Sequence, residues 1–140
     1  MSANRRSGGR EPKRGRLRLG AEGERAAKAF LLASGYRILR ENYSTPLGEI
    51  DLIAREGDVV VFVEVKARAS REYGSPQSSV TLTKQRQIVK AAGLFLEREG
   101  LAEAPCRFDV VAVTFGGTTA EQPEILLIRD AFPSSGTAIF

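Results

Sequence analysis

Gly48-Glu49-Ile50-Asp51-Leu52-Ile53-Ala54-Arg55-Glu56-Gly57-Asp58-Val59-Val60-Val61-Phe62-Val63-Glu64-Val65-Lys66 reads as two β-strands joined by a turn. Glu56-Gly57-Asp58 punctuates two β-prone runs, the second of them rich in β-branched residues. A two-residue loop at Gly57-Asp58 predicts an antiparallel hairpin in which Glu56 pairs with Val59. Pleating then sorts the side chains. Val59, Val61, Val63 and Val65 share one face, while Val60, Phe62, Glu64 and Lys66 share the other. On the preceding strand Glu49, Asp51 and Ile53 point one way, and Ile50, Leu52 and Ala54 the other. The all-valine face must be core.

Working outward, Tyr36 to Tyr43 predicts a strand before this hairpin, with a loop from Ser44 to Leu47 around Pro46. Leu19 to Ser34 is rich in Ala, Glu, Lys and Leu and predicts a helix stopped by Gly35. Its apolar face is Ala27, Phe30, Leu31 and Ser34. Downstream, Ala67 to Ser79 predicts an exposed loop. A second helix is expected from Thr83 as N-cap to Glu99, with Gly100 as its stop and Ile88, Ala91, Ala92, Phe95 and Leu96 as its buried stripe. Strands at Cys106 to Thr114 and Glu124 to Arg129 complete an α-β-β-β-α-β-β order. The expected class is α/β, with a mixed sheet, a central antiparallel hairpin and flanking helices.

The chain has 140 residues, 42% hydrophobic and 27% charged, which suits one globular domain. The expected organisation is a disordered basic arm at 1–16, one domain at 17–130 and a loose tail at 131–140. No run of apolar residues approaches the roughly 20 that a membrane helix needs, and no apolar segment of signal type follows the basic N-terminus. A soluble, cytoplasmic protein is the expectation. Histidine is absent and there is one cysteine, so imidazole catalysis, Cys/His zinc sites and internal disulfides are excluded. Residues 1 to 20 carry seven bases against one acid, +6, whereas residues 21 to 140 carry 14 bases and 16 acids, −2. The basic character is a property of the arm, and a flexible basic arm suits phosphate backbones.

The informative charges are acids in the wrong places. A central strand covered by helices should be apolar on both faces, yet Glu64 and Lys66 interrupt one. Asp51 interrupts Ile50-Asp51-Leu52-Ile53, and aspartate is depleted from strands. With Glu56 opposite Val59, Asp51 falls opposite Glu64 on the same face; a one-residue slip would put it on the valine face instead. Two carboxylates held together repel unless a cation lies between them. A hard divalent ion such as Mg²⁺, bound by one or two carboxylates and waters, is the economical solution. Lys66 lies about 6 to 7 Å along the strand from Glu64 and can reach a phosphate there. Glu24, three residues before Ala27 and seven before Leu31, shares the apolar stripe of the first helix. Alone, it reads equally as a first-turn acid favoured by the helix dipole.

Asp51, followed thirteen positions later by Glu64-Val65-Lys66, resembles the PD-(D/E)xK signature of restriction-endonuclease-like nucleases, with Ile50 where that name has proline. Gly20-x-x-Gly23-Glu24, Gly35-Tyr36-x-Ile38-Leu39, Asn42-Tyr43, Gly48-Glu49-Ile50-Asp51-Leu52-Ile53 and Phe62-Val63-Glu64-Val65-Lys66-x-Arg68 occur in order. With Lys84-Gln85, Ala91-Ala92 and Arg107-Phe108-Asp109, they resemble the bacterial YraN family of endonuclease-like proteins, itself similar to archaeal Holliday junction resolvases. The resemblance covers Gly20 to about Val113. It implies a restriction-endonuclease-like αβββαβ core and a divalent-metal site. It further implies Asp51 and Glu64 as metal ligands with the Val65 carbonyl as a third, Lys66 acting on the attacking water and the phosphate, and Glu24 completing the site.

The expected activity is therefore a Mg²⁺- or Mn²⁺-dependent DNA endonuclease acting on branched or structured DNA, with Glu24, Asp51, Glu64 and Lys66 as its catalytic set. Arg68, Arg71, Lys84 and Arg86 are the expected DNA contacts, since they leave the catalytic strand or open the second helix. Lys90 reads more simply as a solvated helix residue. A homodimer is compatible with an exposed sheet edge. The competing expectation is a non-catalytic nucleic-acid-binding or assembly protein that keeps the nuclease fold.

Overall fold

In the computed structural model, which describes residues 13–70, 79–116 and 122–134, two helices cover a five-stranded mixed sheet. The elements are α1 (Lys13–Ala33), β1 (Arg37–Thr45), β2 (Gly48–Glu56), β3 (Val59–Arg68), α2 (Leu82–Arg98), β4 (Cys106–Thr114) and β5 (Glu124–Phe132). The strands lie side by side in chain order. β1–β2, β2–β3 and β4–β5 are antiparallel, and β3–β4 is parallel. The parallel pair requires a crossover, and α2 supplies it. This is the expected mixed α/β sheet, compatible with a restriction-endonuclease-like core.

The hairpin register is the predicted one: Glu56 pairs with Val59, and the ladder runs to Leu52 opposite Val63. Gly57 makes the turn possible with φ of 60°. The sheet is apolar on both sides. Val61 and Val63 join Leu52 and Ala54 against Ala27 and Leu31 of α1. Val60 and Phe62 join Ile53 and Phe108 against Ile88, Ala91, Ala92 and Phe95 of α2. Phe62 stacks on Phe108, and Phe108 on Phe132, with ring centres 5.4 and 5.2 Å apart.

Several boundaries differ from expectation. α1 begins at Lys13 rather than Leu19, so Lys13 to Arg16, the last residues of the expected arm, are helical; Lys, Arg and Leu are good helix formers, and no proline follows Pro12 until Pro46. Ser34 is exposed beyond the helix end, where its hydroxyl donates to the Phe30 carbonyl. The N-cap of α2 is Thr81, not Thr83: its hydroxyl accepts from Lys84 N–H at 3.2 Å. Starting there puts Val80 into the core just before the cap. β5 runs on to Phe132, three residues beyond Arg129, because Phe132 is the apolar anchor that completes the stack with Phe108. Asp130, with φ of 53°, bends the strand to bring it there. Residues 1–12 of the arm, 135–140 of the tail and Arg71 lie outside the described residues. Among the described residues no helix is long and apolar enough to cross a membrane.

Candidate active site

The carboxyl ends of the parallel strands β3 and β4, the start of β2, the middle of α1 and the first turn of α2 meet at one end of the sheet. Ligand crevices of open α/β sheets form outside such strand ends. Here a cleft of about 590 Å³ is lined by Leu19, Gly20 and Glu24 of α1, Asp51 of β2, and Glu64 through Ala69.

A local break in the pleat assembles it. Leu52 faces α1 and Ile53 faces α2, so strict alternation sends Ile50 to the α1 side, where the sequence reading grouped it with Leu52 and Ala54. Ile50 instead lies in the α2-side core, with its partner Tyr43 against the same core. Both strands lose their alternation at the same step, between Glu41 opposite Leu52 and Tyr43 opposite Ile50. The residues of that step are Asn42 and Asp51, and Asn42 carries a left-handed φ of 51°. Asparagine tolerates this conformation better than most residues. Asp51 is thereby free of either core and can meet acids coming from both faces.

Continuing the β2–β3 register past Leu52 and Val63 sets Asp51 across from Glu64. At that point the Val65 backbone N–H donates to Asp51 Oδ2 at 2.8 Å. Glu64 is only 6% exposed. Burial pushes its carboxyl up to about 7, and the facing Asp51 pushes the same way, while Lys84 and Lys66 pull it down. The two ammonium groups stand 4.0 and 3.7 Å from Glu64 Oε2, too long for direct hydrogen bonds. Glu24 completes the acidic group from the α1 side. Burial raises its pKa, the Asp51 charge adds to this, and a side-chain hydrogen bond with Asn42 opposes both.

Two glycines allow the approach. A Cβ on Gly23 would stand 2.5 Å from the Ala67 Cβ, so glycine lets α1 lie on the end of β3 and delivers Glu24. A Cβ on Gly48 would stand 2.8 Å from the Gln87 carbonyl oxygen, so glycine lets α2 close over the start of β2.

The structure thus brings Glu24, Asp51, Glu64, Val65, Lys66 and Arg68 to one cleft, with Lys84 reaching Glu64 from α2. Arg68 Nε donates to Thr114 Oγ1 at 3.2 Å, which steadies its side chain on β4. Arg86 is exposed on α2 and lies outside the cleft lining. Asn42 is the site residue that sequence reasoning missed; an asparagine inside a strand pattern, where it is disfavoured, was the available signal.

The donors fit a hard divalent cation in chemistry: hard carboxylate oxygens, one of them buried and pressed by a second acid, beside room for water. Among the described residues, no group of three or more His, Cys, Asp or Glu side chains is arranged to hold an ion. An ion here would rest on Asp51 and Glu64, with backbone or water oxygens completing its shell. That partial protein coordination is the habit of Mg²⁺ rather than Ca²⁺.

A second charged cluster sits at the opposite end of the sheet. Arg107 reaches Asp109 at 3.0 Å, Glu56 at 2.7 Å and the Tyr36 hydroxyl at 2.8 Å. Arg129 reaches Glu56 at 2.9 Å and the same hydroxyl at 2.9 Å. Asp109, 0% exposed, also accepts from Asp130 N–H at 2.9 Å. Burial opposes the Arg107 charge, but its bonds to Asp109 and Glu56 raise its pKa regardless. The Arg129 and Arg107 hydrogen bonds lower that of Glu56. Every member is satisfied within the cluster, which joins the segment after α1 to β2, β4 and β5.

Known proteins are similar to this chain over most of its length. The chain is 54% identical over 99 residues to a UPF0102 protein of Symbiobacterium thermophilum, covering 71% of this chain and 84% of the relative. A UPF0102 protein of Desulfosudis oleivorans is 47% identical over 120 residues, covering 86% and 94%. One from Moorella thermoacetica is 51% identical over 98 residues, covering 70% and 82%. The model of the family described as "Uncharacterised protein family UPF0102" matches residues 23–113, from the glycine that seats α1 to β4, and the chain belongs to that family, named YraN above.

Proposed function

We propose that the protein is a divalent-metal-dependent DNA endonuclease, hydrolysing phosphodiester bonds in branched or structured DNA. The observation that carries this reading is the buried Glu64 carboxylate facing Asp51, with two lysines close by but not bonded, at the floor of an open cleft. A solvated strand end would not bury one acid against another.

Asp51 and Glu64 would hold Mg²⁺ or Mn²⁺, with the Val65 carbonyl as a third donor. Such an ion supplies charge neutralisation at phosphate oxygens and a more acidic water. The chain's own groups supply the rest. Lys66 offers a charge that can move between Glu64 and a phosphate oxygen, stabilising negative charge as it develops. Val65 N–H fixes Asp51 in one orientation, a preorganisation that needs no rearrangement during reaction. Glu24, hydrogen-bonded to Asn42 and made a stronger base by burial and the Asp51 charge, is the group proposed to accept a proton from water. Arg68, Lys84 and Arg86 would bind the phosphate backbone, giving affinity without sequence preference.

Four-way junction, flap and linear duplex DNA incubated with Mg²⁺, Mn²⁺ or EDTA tests the reading. Cleavage should require the metal and vanish in Asp51→Ala, Glu64→Ala and Lys66→Met. Absence of metal-dependent cleavage on every substrate, or cleavage that survives Asp51→Ala, refutes it.

A non-catalytic nucleic-acid-binding protein is the second reading. Favouring it is the lack, among the described residues, of three acids arranged to hold an ion. Calorimetric titration with Mg²⁺ separates the two: heat of binding that is lost in Asp51→Ala supports the enzyme, and no heat supports the binder.

A further inference from the structure

The turn joining β1 to β2 is built more firmly than a connection requires. Thr45 Oγ1 accepts from Leu47 and Gly48 N–H at 3.0 and 3.1 Å and donates to the Gly48 carbonyl at 2.9 Å. Gly48 in turn packs on the α2 backbone at Gln87, closely enough to exclude a Cβ. A turn locked from within and braced from outside fixes the direction of its two central residues, Pro46 and Leu47, and the proline ring restricts its own φ as well. Both are exposed, Leu47 at 48%.

Single exposed leucines are ordinary, and Leu32 and Leu126 are two more. The setting of Leu47 differs. Asp51 lies four residues further on, roughly 13 Å along the strand at about 3.3 Å per residue. The α2 segment braced against this turn carries Lys84, Arg86 and Lys90, and its first turn holds no acid. Lys84 also reaches Glu64. An apolar point beside cations, offset from a pair of carboxylates, has the form of a side chain that enters a base stack while neighbouring phosphates are held.

We propose that Pro46 and Leu47 form a wedge that inserts between stacked base pairs of a DNA arm. It would open a step about four base pairs from the phosphate at Asp51 and Glu64, given roughly 13 Å of strand against about 3.4 Å of rise per pair. This rests on the nucleic-acid reading above and adds to it a means of selection: DNA with weak stacking at that distance binds best. Branched DNA has such steps near its crossover.

The test uses the full chain in EDTA with junction DNA carrying 2-aminopurine at successive positions of one arm. With the wild type, fluorescence should rise severalfold at one or two adjacent positions. Leu47→Phe should keep the rise and Leu47→Ala should lose it. Affinity of Leu47→Ala for the paired arm should fall about 5- to 10-fold, the scale of burying the exposed half of one leucine side chain. The fall should be at least as large for an arm with a two-base mismatch at that step, where opening the stack costs less. An equal rise with Leu47→Ala, or bound wild type that brightens no position, overturns the wedge. The outcomes stay separable from the nuclease reading. Brightening without Mg²⁺-dependent cleavage keeps the wedge and removes the enzyme; cleavage without brightening does the reverse; failure to bind DNA removes both.

Discussion

Replacing Glu64 by glutamine should stabilise the metal-free protein at neutral and alkaline pH, although it removes a residue central to the proposed chemistry. Glu64 is buried at 6% exposure, so solvent does little to screen its charge. Its carboxyl ionises near 7 in the fold against 4.5 ordinarily, because burial and the Asp51 charge both resist ionisation. An acid raised in this way helps folding least where it must be charged. Below pH 4.5 it is protonated in both states and costs nothing. Between 4.5 and 7 the unfolded chain gives up the proton while the fold retains it, so stability falls as pH rises. Above 7 the loss is complete. At about 1.4 kcal/mol per pH unit, the gap between 4.5 and about 7 amounts to roughly 3 kcal/mol. Glutamine keeps the shape and does not titrate. Urea denaturation in EDTA at pH 5 and pH 8 measures the difference. Glu64→Gln should gain on the wild type by roughly 2 to 3 kcal/mol between those two pH values, the share of the linkage lying in that window. Added Mg²⁺ should narrow the gap at pH 8 by stabilising the wild type alone. A difference that does not vary with pH, or a variant less stable than wild type at pH 8, would refute the account of Glu64 as a buried acid held against another.

Gly23→Ala sets a methyl 2.5 Å from the Ala67 Cβ, so α1 must lift from β3; a loss of about 1–3 kcal/mol in urea denaturation is expected, with any cleavage reduced as Glu24 moves. Asp109→Ala leaves Arg107 without its buried partner and the Asp130 N–H without an acceptor; the expected loss is about 3–5 kcal/mol, read by the same denaturation. Thr81→Ala removes the N-cap acceptor of α2 and should cost about 1 kcal/mol, whereas Thr83→Ala should cost less than half of that.

Much of the framework follows from local rules that the sequence states directly. Gly57-Asp58 sets the hairpin register, and the register sets Asp51 against Glu64. The helical spacing of Ile88, Ala91, Ala92 and Phe95 gives the buried face of α2 in full. Illegibility begins where a tertiary contact overrides a local preference. Thr81 and Thr83 are equally good caps in isolation, and the burial of Val80 chooses between them. Asp130 carries the positive φ that turns Phe132 inward, and only the vacancy beside Phe108 explains why β5 extends so far. Alternation groups Ile50 with Leu52 and Ala54, and it fails at the step where Asn42 adopts a left-handed conformation. Asn42 itself has no chemistry of its own to announce it; its role is to hold Glu24 and to free Asp51 from the pleat. The cluster of Tyr36, Glu56, Arg107, Asp109 and Arg129 draws on residues up to 93 positions apart, and no periodic pattern links them.

That cluster makes the sheet mechanically unequal along its strands. At its end, side chains from four segments are cross-tied, so those strands can separate only if several charge-assisted bonds break together. At the other end, main-chain pairing between β2 and β3 yields to a single side-chain bond at Asp51, among acids that repel. Opening fluctuations should therefore start at the cleft and run down. Amide hydrogens of Leu52 and Val63 should exchange before those of Ala54 and Val61, the next bonded pair towards the turn, and a cation seated between Asp51 and Glu64 should slow the first pair far more than the second. The protein is held shut at the end away from the cleft, and left loose where a ligand can supply the missing closure.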